Sequence, residues 1–137
     1  MFIKDSELIK IKIYYIKKNH KYIAYTEDEF KKKKNEEKKK EYSELNLKLL
    51  PLGFGLYNEL QDKGMIDDGG GNKSFNFKVF RENKLRSIIK EWDAYSDNGN
   101  IVPINSSVIS HLSPDIADAI LRQYDIETSV SEKEQNF

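Results

Sequence analysis

Cysteine is missing from this chain of 137 residues, which removes disulfide frameworks, thiolate metal sites and cysteine nucleophiles from consideration. Net charge is missing too: Lys plus Arg and Asp plus Glu stand at 23 each, so no global field draws the molecule to a polyanion, and a histone-like composition is excluded. No run approaches the ~20 mostly apolar residues that a membrane-spanning helix requires. The uncharged stretch Leu49 to Asn58 carries Pro51, Gly53 and Gly55, and the apolar start of the chain is interrupted by Lys4, Asp5, Glu7, Lys10 and Lys12 with no small-residue cleavage site behind it. Sequence alone therefore predicts a soluble cytoplasmic protein with no membrane partner. Hydrophobic residues make up 38% and charged residues 34%, against about 45–50% and about 25% in ordinary domains. The length suits one domain, and the low apolar content predicts that part of it is solvated.

What is present is unevenly placed. Residues 1–50 hold 14 basic and 9 acidic groups, and the remainder holds 9 and 14. Much of the basic excess lies between Phe30 and Tyr42, where Lys31, Lys32, Lys33, Lys34, Lys38, Lys39 and Lys40 alternate with acids and nothing apolar intervenes. Ahead of this run, Ile9, Ile11, Ile13 and Tyr15 recur with period two, the mark of a half-buried strand. Lys18-Asn-His-Lys21 supplies a turn, and Tyr22 to Tyr25 a returning strand. Thr26 and Glu29 have capping-box spacing, so a charged helix is predicted from there to about Tyr42, projecting from the body because it has little to bury.

Leu45, Leu47 and Leu49 alternate as a further strand that Pro51 stops. Phe54, Leu56, Tyr57 and Leu60 share one side of a short helix ending near Gly64, and Asp67 to Asn72 reads as a glycine loop. Leu85, Ile88, Ile89 and Trp92 fit the stripe of a core-packed helix. Ser96 to Asn100 is a tight turn with Gly99 suited to positive φ. Ser106 or Ser107 is placed to cap a short helix, and Ser113-Pro114-Asp115 has the order of a helix start, leading to a face of Ile116, Ile120, Leu121 and Tyr124. The prediction is an α+β fold: an N-terminal β-hairpin and one further strand, packed with three to four C-terminal helices. A single domain is expected over 1–126, with 27–42 as a charged helix or linker inside it and 127–137 as a flexible tail.

No catalytic constellation stands out. His20 reads as a turn residue and His111 as a polar face residue, so no metal is expected. The acids Asp67-Asp68 and Glu27-Asp28-Glu29 sit in a glycine loop and a first helical turn, where solvation and the helix dipole account for them. Gly53-Phe-Gly55 lacks the third glycine of a dinucleotide loop, and Gly69 to Gly71 is followed by Asn72-Lys-Ser rather than a full phosphate loop, so no cofactor is expected. Serines 106, 107, 110 and 113 have no nucleophile-elbow context. The lysines are a candidate phosphate-binding set beside Tyr14, Tyr15, Tyr22 and Tyr25. Interleaved Glu36, Glu37 and Glu41, and the lack of arginine there, count against it.

The segment from Trp92 to Leu121 resembles the C-terminal half of the small tail assembly chaperones of long-tailed bacteriophages and prophages. In that family a helix ending in tryptophan leads to an Asp-x-Gly turn, a Pro-hydrophobic step, a short helix, a proline break and a final apolar helix. Trp92, Asp97, Gly99 and Pro103 match the first elements, and Val108, Ile109, Leu112, Pro114, Ile116 and Ile120 the later ones. Leu45 to Leu60 resembles the element upstream, whereas the lysine-rich insertion departs from the pattern. The resemblance implies a non-enzymatic protein that binds the tape-measure protein during tail morphogenesis in the bacterial host cytoplasm, with self-association a further possibility. Partner binding would fall to Trp92, Ile109, Leu112, Ile116 and Ile120, each of which has the plainer reading of ordinary core. Two other functions fit the sequence: a small nucleic-acid-binding protein using Lys31 to Lys40, or a structural virion component such as a head-tail connector.

Overall fold

A computed structural model describes residues 7–129. The alternating apolar residues do form strands. β1 (Ile9–Lys18) turns through Asn19, whose φ of 58° is a left-handed conformation asparagine tolerates, into β2 (Lys21–Thr26). The other side of β1 pairs with β3 (Ser43–Leu49), with Ile13 opposite Leu45 and Ile9 opposite Leu49. β6 (Ile89–Trp92) completes an antiparallel sheet of order β2-β1-β3-β6. One face of that sheet carries Ile11, Ile13, Ala24, Leu45, Leu47 and Leu49, all buried. Across it lies α6 (Pro114–Thr128), whose Ile116, Ala119, Ile120 and Tyr124 close the core. Fully burying each such aliphatic side chain contributes about 1.5–3 kcal/mol. The α+β class and the hairpin-plus-strand arrangement are as the sequence predicts.

Between β2 and β3 the lysine-rich segment behaves differently from the prediction. It is not one projecting helix but two short ones, α1 (Glu27–Lys31) and α2 (Asn35–Lys38), separated by an extended Lys34. The capping box forms: Thr26 Oγ1 accepts from the Glu29 amide at 3.3 Å, and Glu29 Oε1 accepts from the Thr26 amide at 3.4 Å. The segment is then held down by aromatic contacts. Phe30 stacks on Tyr14 with ring centroids 3.9 Å apart, and Tyr42 meets Phe30 and Tyr25 edge-on. The two apolar residues that bound the run thus act as pins at its ends, and the sheet face opposite the core gains a strap instead of a projection.

After β3, α3 (Phe54–Gly64) and α4 (Phe77–Ile88) pack as a helical pair bridged by a ribbon of β4 (Met65–Asp67) and β5 (Lys73–Phe75). Leu60 is buried there apart from the main core. Gly64 lets the Phe75 ring pack close, since a Cβ at that position would lie 2.6 Å from Phe75 Cε2 and push the ring aside. Asn76 fixes the boundary between ribbon and helix by accepting from the Lys78 and Val79 amides.

The helix predicted to end at Trp92 ends at Ile88. Ile89 to Trp92 instead pairs with β3, with Leu47 opposite Trp92, because a buried strand needs partners on both edges. The Trp92 indole donates to the Val102 carbonyl at 2.8 Å. The turn at Ser96 to Asn100 forms, with Gly99 at φ 83°. α5 (Ser106–Ser110) is capped by Asn105, not by Ser106 or Ser107: its Oδ1 accepts from the Val108 amide at 2.9 Å. α6 starts at Ser113-Pro114 as predicted but continues through Glu127 and Thr128, so the first residues assigned to a tail are helical. The rest of that assigned tail, from 130 on, falls outside the described residues.

Candidate protein-binding groove

Two helices of opposite ancestry in the chain create the groove. α4 arrives from the helical pair and α6 from the main core, and α5 fills the corner between them. Where they diverge they leave a cavity of about 470 Å³, walled by Leu85 of α4, Ile109 and Leu112 at the corner, and Pro114, Ala117 and Leu121 of α6. Leu85, Ile109 and Leu121 are buried and form the floor, whereas Leu112 and Ala117 are half-buried and form the walls.

The rim is polar and mostly self-satisfied. Arg81 Nη2 donates to Asp118 Oδ1 at 2.8 Å, tying α4 to α6 across the groove. Away from the groove, beside Tyr57 and Tyr124, Lys84 ties α4 to α6 again at Asp125, 3.1 Å away. Glu82 accepts from Arg86 and from the Ser110 hydroxyl, each at 2.8 Å. Lys78, at the open end, is exposed and has no ion-pair partner among the described residues.

The structure divides the five predicted partner-binding residues. Ile109 and Leu112 meet at the groove. Trp92, Ile116 and Ile120 do not: they are buried in the core, at 6%, 8% and 0% exposure, and Ile116 and Ile120 belong to the face that α6 lays on the sheet. Leu85 and Leu121 were readable only as core positions, and Ala117 gave no signal beyond its place four residues before Leu121. Sequence reasoning also missed the apolar surface of the helical pair, where Phe54 is 85% and Phe77 is 70% exposed, with Tyr57, Met65 and Ile66 also open.

The lysine set does not converge. Lys31, Lys32, Lys34, Lys39 and Lys40 are exposed, Lys38 is half-buried, and Lys33 lies with its Nζ 3.8 Å from the centre of the Tyr25 ring. Lys40 pairs with Glu37 at 3.0 Å. Splitting the segment into two helices removes the continuous basic stripe that a single helix would have offered.

His20 and His111 come together in a way their separation in sequence conceals. Both line a surface cavity of about 530 Å³ with Lys21, Tyr22, Ser113 and Asp115. Asp115 stands four residues beyond His111, a spacing that can suit a shared ligand, but its Oδ2 accepts from the Ala24 amide at 3.1 Å and so caps the free edge of β2. His111 Nδ1 is 2.7 Å from the Ser107 carbonyl. No group of three His, Asp or Glu residues suited to a metal occurs among the described residues. Asp67 and Asp68, the other paired acids, accept from the Gly69 and Gly70 amides and shape their own turn. None of the described helices is long and apolar enough to cross a membrane. Compared with known proteins, the chain matches no family model, no curated protein and no solved structure.

Proposed function

We propose that this chain is a non-enzymatic tail assembly chaperone of a long-tailed bacteriophage or prophage, acting in the host cytoplasm by transient binding of the tape-measure protein. The observation that supports this reading most is the apolar groove between α4, α5 and α6, open at its mouth and lined by Leu85, Ile109, Leu112 and Leu121. A groove of this kind suits the apolar face of a client helix. Phe77, one residue before Lys78 at the groove, is 70% exposed and adds apolar surface there.

The resemblance from Trp92 to Leu121 supports the same reading through its turn, proline step and two final helices, although Trp92 closes a strand where the family pattern has a helix. Co-expression with a tape-measure protein of a long-tailed phage is the test. The client's soluble fraction should rise severalfold, and no change would remove the proposal. Finding the chain as a stoichiometric component of purified virions would favour the head-tail connector reading instead.

A further inference from the structure

We infer that the strap formed by residues 27–42 is a detachable cover, which lifts off the sheet as a unit while the strands stay paired and so bares the rings of Tyr14 and Tyr25. The Arg122–Glu29 ion pair is its latch. The device is independent of the client-binding reading.

The path of the chain makes such an opening geometrically simple. β2 and β3 flank β1 on its two sides, so the segment that joins them crosses over β1 on the face away from the core. Its ends are fixed in strands, at Thr26 and Ser43, and neither α1 nor α2 buries a residue. What it covers is aromatic. Tyr14 and Tyr25 are register partners across β1 and β2, Phe30 lies flat on Tyr14, and Lys33 sits over Tyr25. None of Tyr14, Tyr25, Phe30 and Tyr42 belongs to the main core, so lifting the strap leaves the packing of Ile13, Leu45 and Ile120 in place.

Polar contacts hold one end of the strap, and a polar defect weakens the other. Arg122 of α6 reaches Glu29 at 2.9 Å, and Asp118, 3.1 Å from the Arg122 Nε, sets the position of the guanidinium. Beside them the buried Gln123 side chain accepts from the Glu27 amide at 3.0 Å. At the far end the Tyr42 hydroxyl is buried with no hydrogen-bond partner among the described residues. An unpaired buried hydroxyl costs free energy that is recovered once water reaches it. The closed state is thus latched at α1 and disfavoured at Tyr42.

The experiment is native-state proteolysis of the full chain with a lysine-specific protease, following cuts between residues 31 and 40 at urea concentrations below the unfolding transition. Cleavage needs extended backbone, which the short helices and the aromatic pins deny until the strap lifts. Cuts there should come first, at a rate nearly independent of urea because lifting exposes little surface, and the cut chain should keep the circular dichroism of the intact sheet. Glu29→Gln keeps a side chain able to reach back to the Thr26 amide but loses the charge. It should speed cutting about threefold at low salt, with the gain shrinking as salt rises. Arg122→Gln should do the same, and the double variant no more than either alone. Tyr42→Phe should act in the opposite sense and slow cutting about threefold. Lys84→Ala removes a different tie of α6, to Asp125, and should leave the rate unchanged. A urea dependence equal to that of global unfolding would overturn the inference, as would rates unmoved by Glu29→Gln. Equal acceleration by Lys84→Ala would reduce the latch to a general loosening of α6, and faster cutting of Tyr42→Phe would make its hydroxyl an anchor, so either result would also contradict the account.

Discussion

The sheet with α6 and the α3–α4 pair use their apolar residues in opposite ways. In the first, Ile13, Leu49 and Ile120 are sealed, and the three sequence-predicted partner residues Trp92, Ile116 and Ile120 are buried in the core. In the second, Leu60 is buried while Phe54 and Phe77 face solvent. The body of the protein is thus finished by itself, and the two most exposed large apolar side chains, Phe54 and Phe77, lie on the helical pair.

The sharpest way to break this contrast is to cut a hole in each region. Ile120→Ala should cost about 2–5 kcal/mol in denaturant unfolding, through lost transfer and the cavity left behind. Leu60→Ala should cost less globally, and hydrogen exchange should show its loss of protection confined mainly to α3 and α4. Equal and global loss from both would mean that the two regions are one cooperative unit.

Intermediate effects sharpen the picture of the sealed region. Thr26→Ala removes one half of the capping box and should destabilise by about 1 kcal/mol. Tyr124 has its hydroxyl between the Leu50 carbonyl, to which it donates, and the Leu52 amide, from which it accepts, both at 3.0 Å. Burial raises its pKa above the usual phenol value of 10.0, against the opposing pull of the Leu52 amide. A raised folded pKa means that this contribution is complete below pH 10 and is lost as pH climbs through the folded value. Urea midpoints should accordingly fall across that alkaline range, and Tyr124→Phe should flatten the fall.

At the small end, Arg81→Ala breaks an exposed tie between α4 and α6 and should cost under about 1 kcal/mol, with less difference from the parent at high salt. Phe77→Ser should leave the unfolding free energy within about 0.5 kcal/mol of the parent. A large loss from Phe77→Ser would show that the open aromatic surface is structural after all.

Much of the fold was legible because its signals are local. Period two marked β1 and β3, the Thr26–Glu29 spacing marked the cap, and Ser113-Pro114 marked the start of α6. The errors occurred where tertiary pairing overrode local pattern. Ile88, Ile89 and Trp92 fit a helical stripe, yet the edge of β3 recruits Ile89 to Trp92 as a strand. Phe30 and Tyr42 looked like the ends of a solvated run, but Tyr14 and Tyr25 on neighbouring strands supply rings to meet them. The groove was half legible. Ile109 and Leu112 lie in the motif, but Leu85 comes from another part of the chain, and only the path through β6 brings it alongside α6.

The claim that the seam between α4, α5 and α6 is the working surface is tested most directly by hydrogen exchange of the chain alone and mixed with a tape-measure protein of a long-tailed phage. Slowed exchange should appear in α4, in α5 and in the first turns of α6, around Leu85, Leu112 and Ala117. Slowed exchange at the Lys31 to Lys40 strap or the β1–β2 turn, with the seam unchanged, would contradict it.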